Sequence, residues 1–399
     1  CICIFALGLG SKSGYDARFT LSPTGAKITV PTVVMPARLT AIALGVLVAA
    51  LGGWRIVRDF SRRAMRWVIA FALFSLVFSF MCWALTGQKD NSLDLLGLLQ
   101  QALILAVPLM LGALAGVLGE RSGVINVAIE GQMLTGAFAG ALVGTLTHNA
   151  GAGIAAAVIA GGLVGLLLAL FAIRYFVNQV VLGVVLNLLA LGMTGYVYDA
   201  LMARDQNTYN TPPGLNPIHI AGLADVPIIG PLLFDQNLIV YMTYVLIVVV
   251  DIGLFRTRWG LRTRAVGEHP KAADTVGINV RRVRYVNVTL GGLVAGLAGA
   301  YLTIGAGLPF AKSMTNGRGF IALAAVIFGR WSPRGAISAA LLFGFADALQ
   351  TVLSFIGTPV AIPSQFLAML PYLATILAVA GLVGRVRAPA ADGEPYEGR

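Results

Sequence analysis

An all-α bundle that crosses a membrane many times is the fold class this sequence predicts, and three observations carry it. Of 399 residues, 58% are hydrophobic and only 11% charged, with a mean hydropathy of +0.84; soluble chains hold about 25% charged residues. The few charges fall in blocks and leave apolar runs of bilayer-spanning length between them. The 48 glycines agree, because small residues let membrane helices approach closely. The runs add up to about 9–11 spans, counted at the length a bilayer requires, two of them interrupted.

In chain order, CICIFALGLG at the start supplies about half a span and reads as a truncated or mis-started N-terminus or part of a signal segment. Apolar runs near 38–57 and 66–86 complete an N-terminal extension, 1–92, with about two spans. A core over 93–387 follows, with runs near 95–118, 152–174, 180–201, 236–255, 285–306, 336–356 and 364–384. Shorter or interrupted runs lie near 124–147 and 319–331, and 388–399 is a polar tail.

Basic clusters orient these spans. Arg58, Arg62, Arg63 and Arg66 share one loop, 256–284 forms a second, Arg330 and Arg334 a third, and Arg385 and Arg387 flank the tail. Threaded alternately, all four fall on the cytoplasmic side together with Arg121; Lys12, Lys27 and Arg38 then fall outside, against the rule. The net charge of +11 is thereby explained without nucleic acid. On the outer side, 203–235 is long, proline-rich and nearly uncharged, a surface for an external partner or a plain connector.

Catalytic motifs are missing. Cys1, Cys3 and Cys82 have no metal spacing and suggest no disulfide framework. His148, His219 and His269 are scattered, and no Gly-x-x-x-x-Gly-Lys-Ser/Thr occurs, so nucleotide hydrolysis belongs to another chain and no cofactor is expected. Polar side chains inside spans are the remaining candidates. Asn126 and Glu130 are four apart in an interrupted segment with Gln132 beside them; Asn187 is mid-span; Asp347 and Gln350 are three apart. Lining a substrate pathway and gluing helices together by hydrogen bonds are both open for them; the interrupted segment favours the pathway for Asn126 and Glu130. Asn, Gln and a carboxylate suit a neutral ligand rich in hydrogen-bond donors, and no Arg or Lys stands inside a span to meet an anion.

Gly-x-x-x-Gly spacing at Gly112/Gly116, Gly136/Gly140/Gly144, Gly161/Gly165 and Gly292/Gly296 predicts tight helix packing. GVINVA at 123–128 is echoed by GFIALA at 319–324, each after an arginine and threaded in opposite directions. Opposed repeats with Gly-interrupted segments are how alternating-access transporters build a midplane site.

In the basic island 256–284, residues 265–277 read as one short helix. Glu268, Lys271 and Asp274 form its wet face, and Ala272 and Ala273 are small enough for close contact. Pro270 sits near its start and Gly277 at its end. Docking to a soluble partner and a solvated loop that only sets topology are both open.

With these residues in view, the chain resembles the permease subunits of bacterial ABC importers. The branch is that of ribose and branched-chain amino acid permeases, and within it the nucleoside (guanosine or purine nucleoside) permeases. The match covers about 95–384, most specifically GERSGVINVAIEGQMLTGAF at 119–138; 178–195, 260–277 and 317–344 are also similar. The resemblance implies cytoplasmic ATP-binding-cassette ATPase subunits, a second related permease, an extracytoplasmic substrate-binding lipoprotein and import of a nucleoside across the plasma membrane. It also makes 267–277, from Gly267 to Gly277, the coupling helix. The family core starts near Gln100, so the role of 1–92 stays open. Simple sugars and branched-chain amino acids remain alternative cargoes. An ion-coupled secondary transporter would carry several midplane carboxylates, where only Glu130 and Asp347 qualify; a structural membrane protein would show no ligand response.

Overall fold

The computed structural model describes residues 2–11, 14–21, 30–87, 92–356, 359–360, 363–367, 369 and 387–398. They run α1 (Ile2–Gly10), β1 (Asp16–Thr20), β2 (Val33–Pro36), α2 (Ala37–Val57), α3 (Arg62–Leu85), β3 (Ser92–Asp94), α4 (Leu95–Glu120), α5 (Ile129–Thr147) and α6 (Ala150–Ala169). Then come α7 (Gln179–Val197), α8 (Gln206–Tyr209), β4 (Ile218–His219), α9 (Ile229–Leu233), β5 (Asp235–Gln236), α10 (Leu238–Arg256), α11 (Arg258–Glu268) and α12 (Pro270–Thr275). Last are α13 (Val280–Ala300), α14 (Arg318–Phe328), α15 (Pro333–Ile356) and α16 (Ser364–Leu367). π-helical turns at Leu170–Arg174, Tyr198–Met202 and Tyr301–Gly305 extend α6, α7 and α13.

Among the described residues, eight helices are long and apolar enough to cross a membrane: Ala37–Val57, Trp67–Leu85, Leu95–Glu120, Ala150–Arg174, Gln179–Met202, Leu238–Arg256, Val280–Gly305 and Pro333–Ile356. The two interrupted runs are α5 and the eleven-residue α14. The run expected at 364–384, Lys12, Lys27 and Arg385 lie wholly or largely outside the described residues. Helix α13 begins at Val280 rather than near 285, so Arg281, Arg282 and Arg284 belong to a helix and not to the preceding loop.

Local chemistry explains the helix starts. The side chains of Ser61, Asn149, Asn178, Asn237 and Asn279 each accept a backbone N–H of the first turn of α3, α6, α7, α10 and α13. These are donors the helix cannot satisfy itself.

The chain forms two compact units. The smaller, 1–104 with 220–234 and 344–384, packs α1, α2 and α3 together and carries a three-stranded sheet in the order β2-β1-β3. There β1 pairs antiparallel with β2 and parallel with β3. Phe19 of β1 stacks on Phe78 of α3 at 5.3 Å.

The larger unit, 105–219 with 235–343 and 385–399, is built on α5, α6 and α13. Its contact is made of glycine. A Cβ at Gly165 would stand 2.9 Å from Gly292 Cα, and one at Gly136 would stand 2.8 Å from Gly296 Cα. Backbones touching this closely gain dispersion along the whole helix pair. Gly112 and Gly116 of α4 serve the same purpose against α14, facing Ala322 and Val326.

Candidate functional site

Residues 121–128, between α4 and α5, are non-helical, with Gly123 at φ +87. Irregular backbone at membrane depth has to find its hydrogen bonds inside the protein, and side-chain amides supply them. Gln179 Oε1 accepts from Ile125 N at 2.7 Å. Asn187 bridges the start of α5: its Nδ2 donates to Val127 O at 2.9 Å and its Oδ1 accepts from Gly131 N at 2.8 Å. Asn187 stands eight residues into α7, hence ~12 Å along it. Asn126 and Gln132 are fully buried and pair reciprocally, Asn126 Nδ2 to Gln132 Oε1 at 3.1 Å and Gln132 Nε2 to Asn126 Oδ1 at 3.2 Å.

Glu130 joins α5 and α14. It lies in the first turn of α5, yet its carboxylate accepts from Gly317 N at 2.9 Å and Gly319 N at 2.6 Å, at the start of α14. A carboxylate at a helix N-terminus satisfies orphan donors and meets the positive end of the helix dipole. Glu130 meets two such ends. Directions follow from contacts with α4. Gly112 and Gly116 face Ala322 and Val326, so α14 runs parallel to α4. Gly116 faces Ile129, and Gly112, one turn earlier, reaches both Ile129 and the later Met133, so α5 runs antiparallel to it. The two helices therefore point away from each other from adjoining N-termini. The six-residue echo does not share a conformation: 319–324 lies inside α14, whereas 123–128 is irregular and precedes α5.

Asn126, Glu130, Gln132 and Asn187 are thus brought together in the larger unit. Asp347 and Gln350 are half-buried on α15 in the smaller unit.

The reading of 265–277 as one helix is corrected. α11 ends at Glu268 and α12 starts at Pro270, with His269 between them at φ −143, ψ 81. The ring of Pro270 drives the preceding residue out of the helical region, while Pro270 itself suits the first position of α12. The end of α12 is as expected. Gly277 takes φ +81, its N–H donates to Asp274 O at 2.9 Å, and Ile278 N donates to Ala273 O at 3.1 Å, the paired bonds of a glycine C-terminus. Lys271, Ala272 and Asp274 are exposed. Ala273 is not available for docking; it is buried in a cluster with Val266, Val280 and Tyr396 of the same chain. Gly267 is buried against the backbone of Arg121, and Glu268 accepts from Ala390 N at 3.2 Å.

Three site residues escape sequence reasoning. Gln179 looks like an ordinary helix start. Arg121 looks like a topology charge, yet its Nε donates to Trp331 O at 2.6 Å and its guanidinium covers the Phe255 ring. Arg284 looks like part of a solvated cluster but is 2% exposed. Its signal is helical spacing with Val280, Asn287, Val288 and Gly291, all buried on α13.

A family model described as "Branched-chain amino acid transport system / permease component" matches residues 98–383. The guanosine ABC transporter permease protein NupQ of Bacillus subtilis is 42% identical over 304 residues, 74% of this chain and 94% of the relative. The nucleoside ABC transporter permease protein NupC of Lactococcus lactis is 36% identical over 301 residues, 74% of this chain and 94% of the relative. A putative glucose ABC transporter permease protein, TsgC13 of Haloferax volcanii, is 34% identical over 259 residues, 64% of this chain and 77% of the relative. No solved structure matches.

Proposed function

We propose, from the premise that the chain belongs to the family of branched-chain amino acid transport permease components, that this multi-pass ABC permease subunit imports nucleosides by alternating access. Its partners are a separate ATPase, a second related permease and an external substrate-binding lipoprotein. The observation that carries the reading is Glu130 holding the N-termini of two oppositely directed helices, α5 and the short α14. Discontinuous helices meeting inside a bundle are how transporters build a site that can open to either side.

Cargo follows from the names of the two relatives above 35% identity and from the chemistry of the break. Each amide of the Asn126–Gln132 pair carries a donor beside an acceptor, the pattern that meets the edge of a nucleobase. When the pair opens, these groups exchange one another for the base. Asn187 keeps the irregular backbone supplied with hydrogen bonds throughout, and Glu130 keeps α14 in register with α5. Asp347 and Gln350 belong to a pathway through the other unit. Simple sugars are a second reading, favoured by the resemblance to a putative glucose permease.

Docking to the ATPase uses the exposed face of α12, where Lys271, Ala272 and Asp274 stand beside Val276, 75% exposed. An apolar side chain this exposed at the end of a polar helix suits a groove in a partner.

The test is uptake of labelled guanosine, adenosine, ribose and leucine by cells lacking this gene and complemented with wild type, Asn126→Ala or Glu130→Gln. Wild type restores nucleoside uptake, and Asn126→Ala raises KM about tenfold, the worth of one or two lost hydrogen bonds. Ribose or leucine uptake in place of nucleosides overturns the cargo. Unchanged KM in both variants makes these residues structural.

A further inference from the structure

The C-terminal segment 387–398 does not hang free. It lies across the basic island and bonds on both sides. Ala391 N donates to Gly267 O at 2.9 Å, at the end of α11, and Gly393 N donates to Gly123 O at 3.3 Å, in the break before α5. Arg284 of α13 ties the same two pieces, donating from Nε to Ser122 O at 3.2 Å and from Nη1 to Glu394 O at 2.9 Å. Tyr396 is 9% exposed and packs on Val266, Ala273 and Val280; the neighbouring Asp274 carboxylate raises the pKa of its hydroxyl. Charge also matches at Glu394, whose carboxylate lies in the favourable field of Arg284.

The backbone bonds of this terminus reach the coupling helices at one edge and the segment that carries Asn126 at the other. We propose that residues 389–398 are a clamp that joins α11–α12 to the 121–128 break, so that displacement of the docking helices reaches the transport pathway. Tyr396 is its positioning residue. The clamp rests on the docking reading above. Gly267 already packs on the backbone of Arg121; the clamp adds a hydrogen-bonded link from Gly267 O to Gly123 O beside that contact.

The experiment uses the complete transporter, permeases with ATPase, in proteoliposomes, and reads labelled guanosine transported per ATP hydrolysed together with the ATPase retained on purification. Four permeases are compared: wild type, a truncation after Arg387, Tyr396→Ala and Tyr396→Phe. The truncation and Tyr396→Ala lower transport per ATP about tenfold, within the usual span of coupling between sites. They retain the ATPase as wild type does. Tyr396→Phe, which keeps the packing, recovers most of the ratio, and the peptide 387–399 added to the truncated protein restores it in part. A wild-type ratio in the truncation overturns the clamp, as does one in Tyr396→Ala if the truncation does not fold. Loss of the bound ATPase on truncation also overturns it and makes the segment part of the docking face instead. Ala272→Arg separates the underlying reading: if that variant binds ATPase and transports normally, docking through α12 is wrong whatever the tail does.

Discussion

Glu130 concentrates the argument at the scale of single residues. Its two oxygens hold Gly317 N and Gly319 N, and hydrogen bonds to a charged group are worth about 1.5–3 kcal/mol each. Glu130→Ala leaves both donors orphaned, so the purified permease aggregates at a markedly lower temperature than wild type. Glu130→Gln keeps one acceptor oxygen and falls between the two; thermal challenge followed by size-exclusion chromatography reads both. Asp392 adds a pH dependence. Burial pushes its carboxyl up to about 7 from 3.8, with Arg284 pulling the other way. The charged groups that face it are Glu120 of α4 and Arg284 of α13. Because the docked form holds the proton to higher pH than the free form, docking weakens as pH rises from about 4 to about 7 and is constant above. Protease protection of the tail is therefore stronger at pH 5.5 than at pH 8, and Asp392→Asn narrows the difference. Sequence reading found Asn126, Gln132 and Asn187 because amides stand out in apolar runs. It could not tell that Asn187 serves Val127 and Gly131, since that pairing joins residues far apart in the chain. The clamp was invisible for the same reason: a short polar tail has no periodicity to read.

Among elements, the breaks were harder to place than the spans. Apolar length alone located α2, α3, α4, α6, α7, α10 and α15, because membrane thickness fixes their length. The kink at His269 was legible in principle, since Pro270 restricts the residue before it; the mistake was to use that proline only as a helix starter. The strands β1, β2 and β3 were missed because each is five residues or fewer and finds its partner outside its own neighbourhood. Glycine spacing read correctly as packing. At α6–α13 a Cβ on Gly296 would lie 3.0 Å from Val158 Cα and closer still to Ala157 O. Gly296→Val consequently forces the pair apart, costing 3 kcal/mol or so, the upper part of the range for overpacking, and the yield of monodisperse permease collapses. Gly192→Ala on α7 is the control. Nothing lies within 4 Å of the added methyl, so yield is unchanged.

For the whole molecule, the composition settled the membrane class and the family motif at 119–138 marked the region where the structure breaks its helices. The expectation that no basic side chain stands inside a span needs amending. Arg318 is the first residue of α14, beside the Gly317 and Gly319 amides that Glu130 holds, and Arg284 is buried in α13. These cations serve helix ends and the tail: Arg318 Nη1 donates to Met314 O at 3.2 Å, and Arg284 binds the backbone of Ser122 and Glu394. A neutral cargo stays compatible with them. The most direct measurement is uptake of labelled guanosine into proteoliposomes that hold this permease with its partner permease, ATPase and binding protein, compared with ATP and with a non-hydrolysable analogue inside the assay. ATP-dependent accumulation that stops with the analogue is the result the account predicts. Accumulation that proceeds without hydrolysis and collapses when an ion gradient is removed would contradict it.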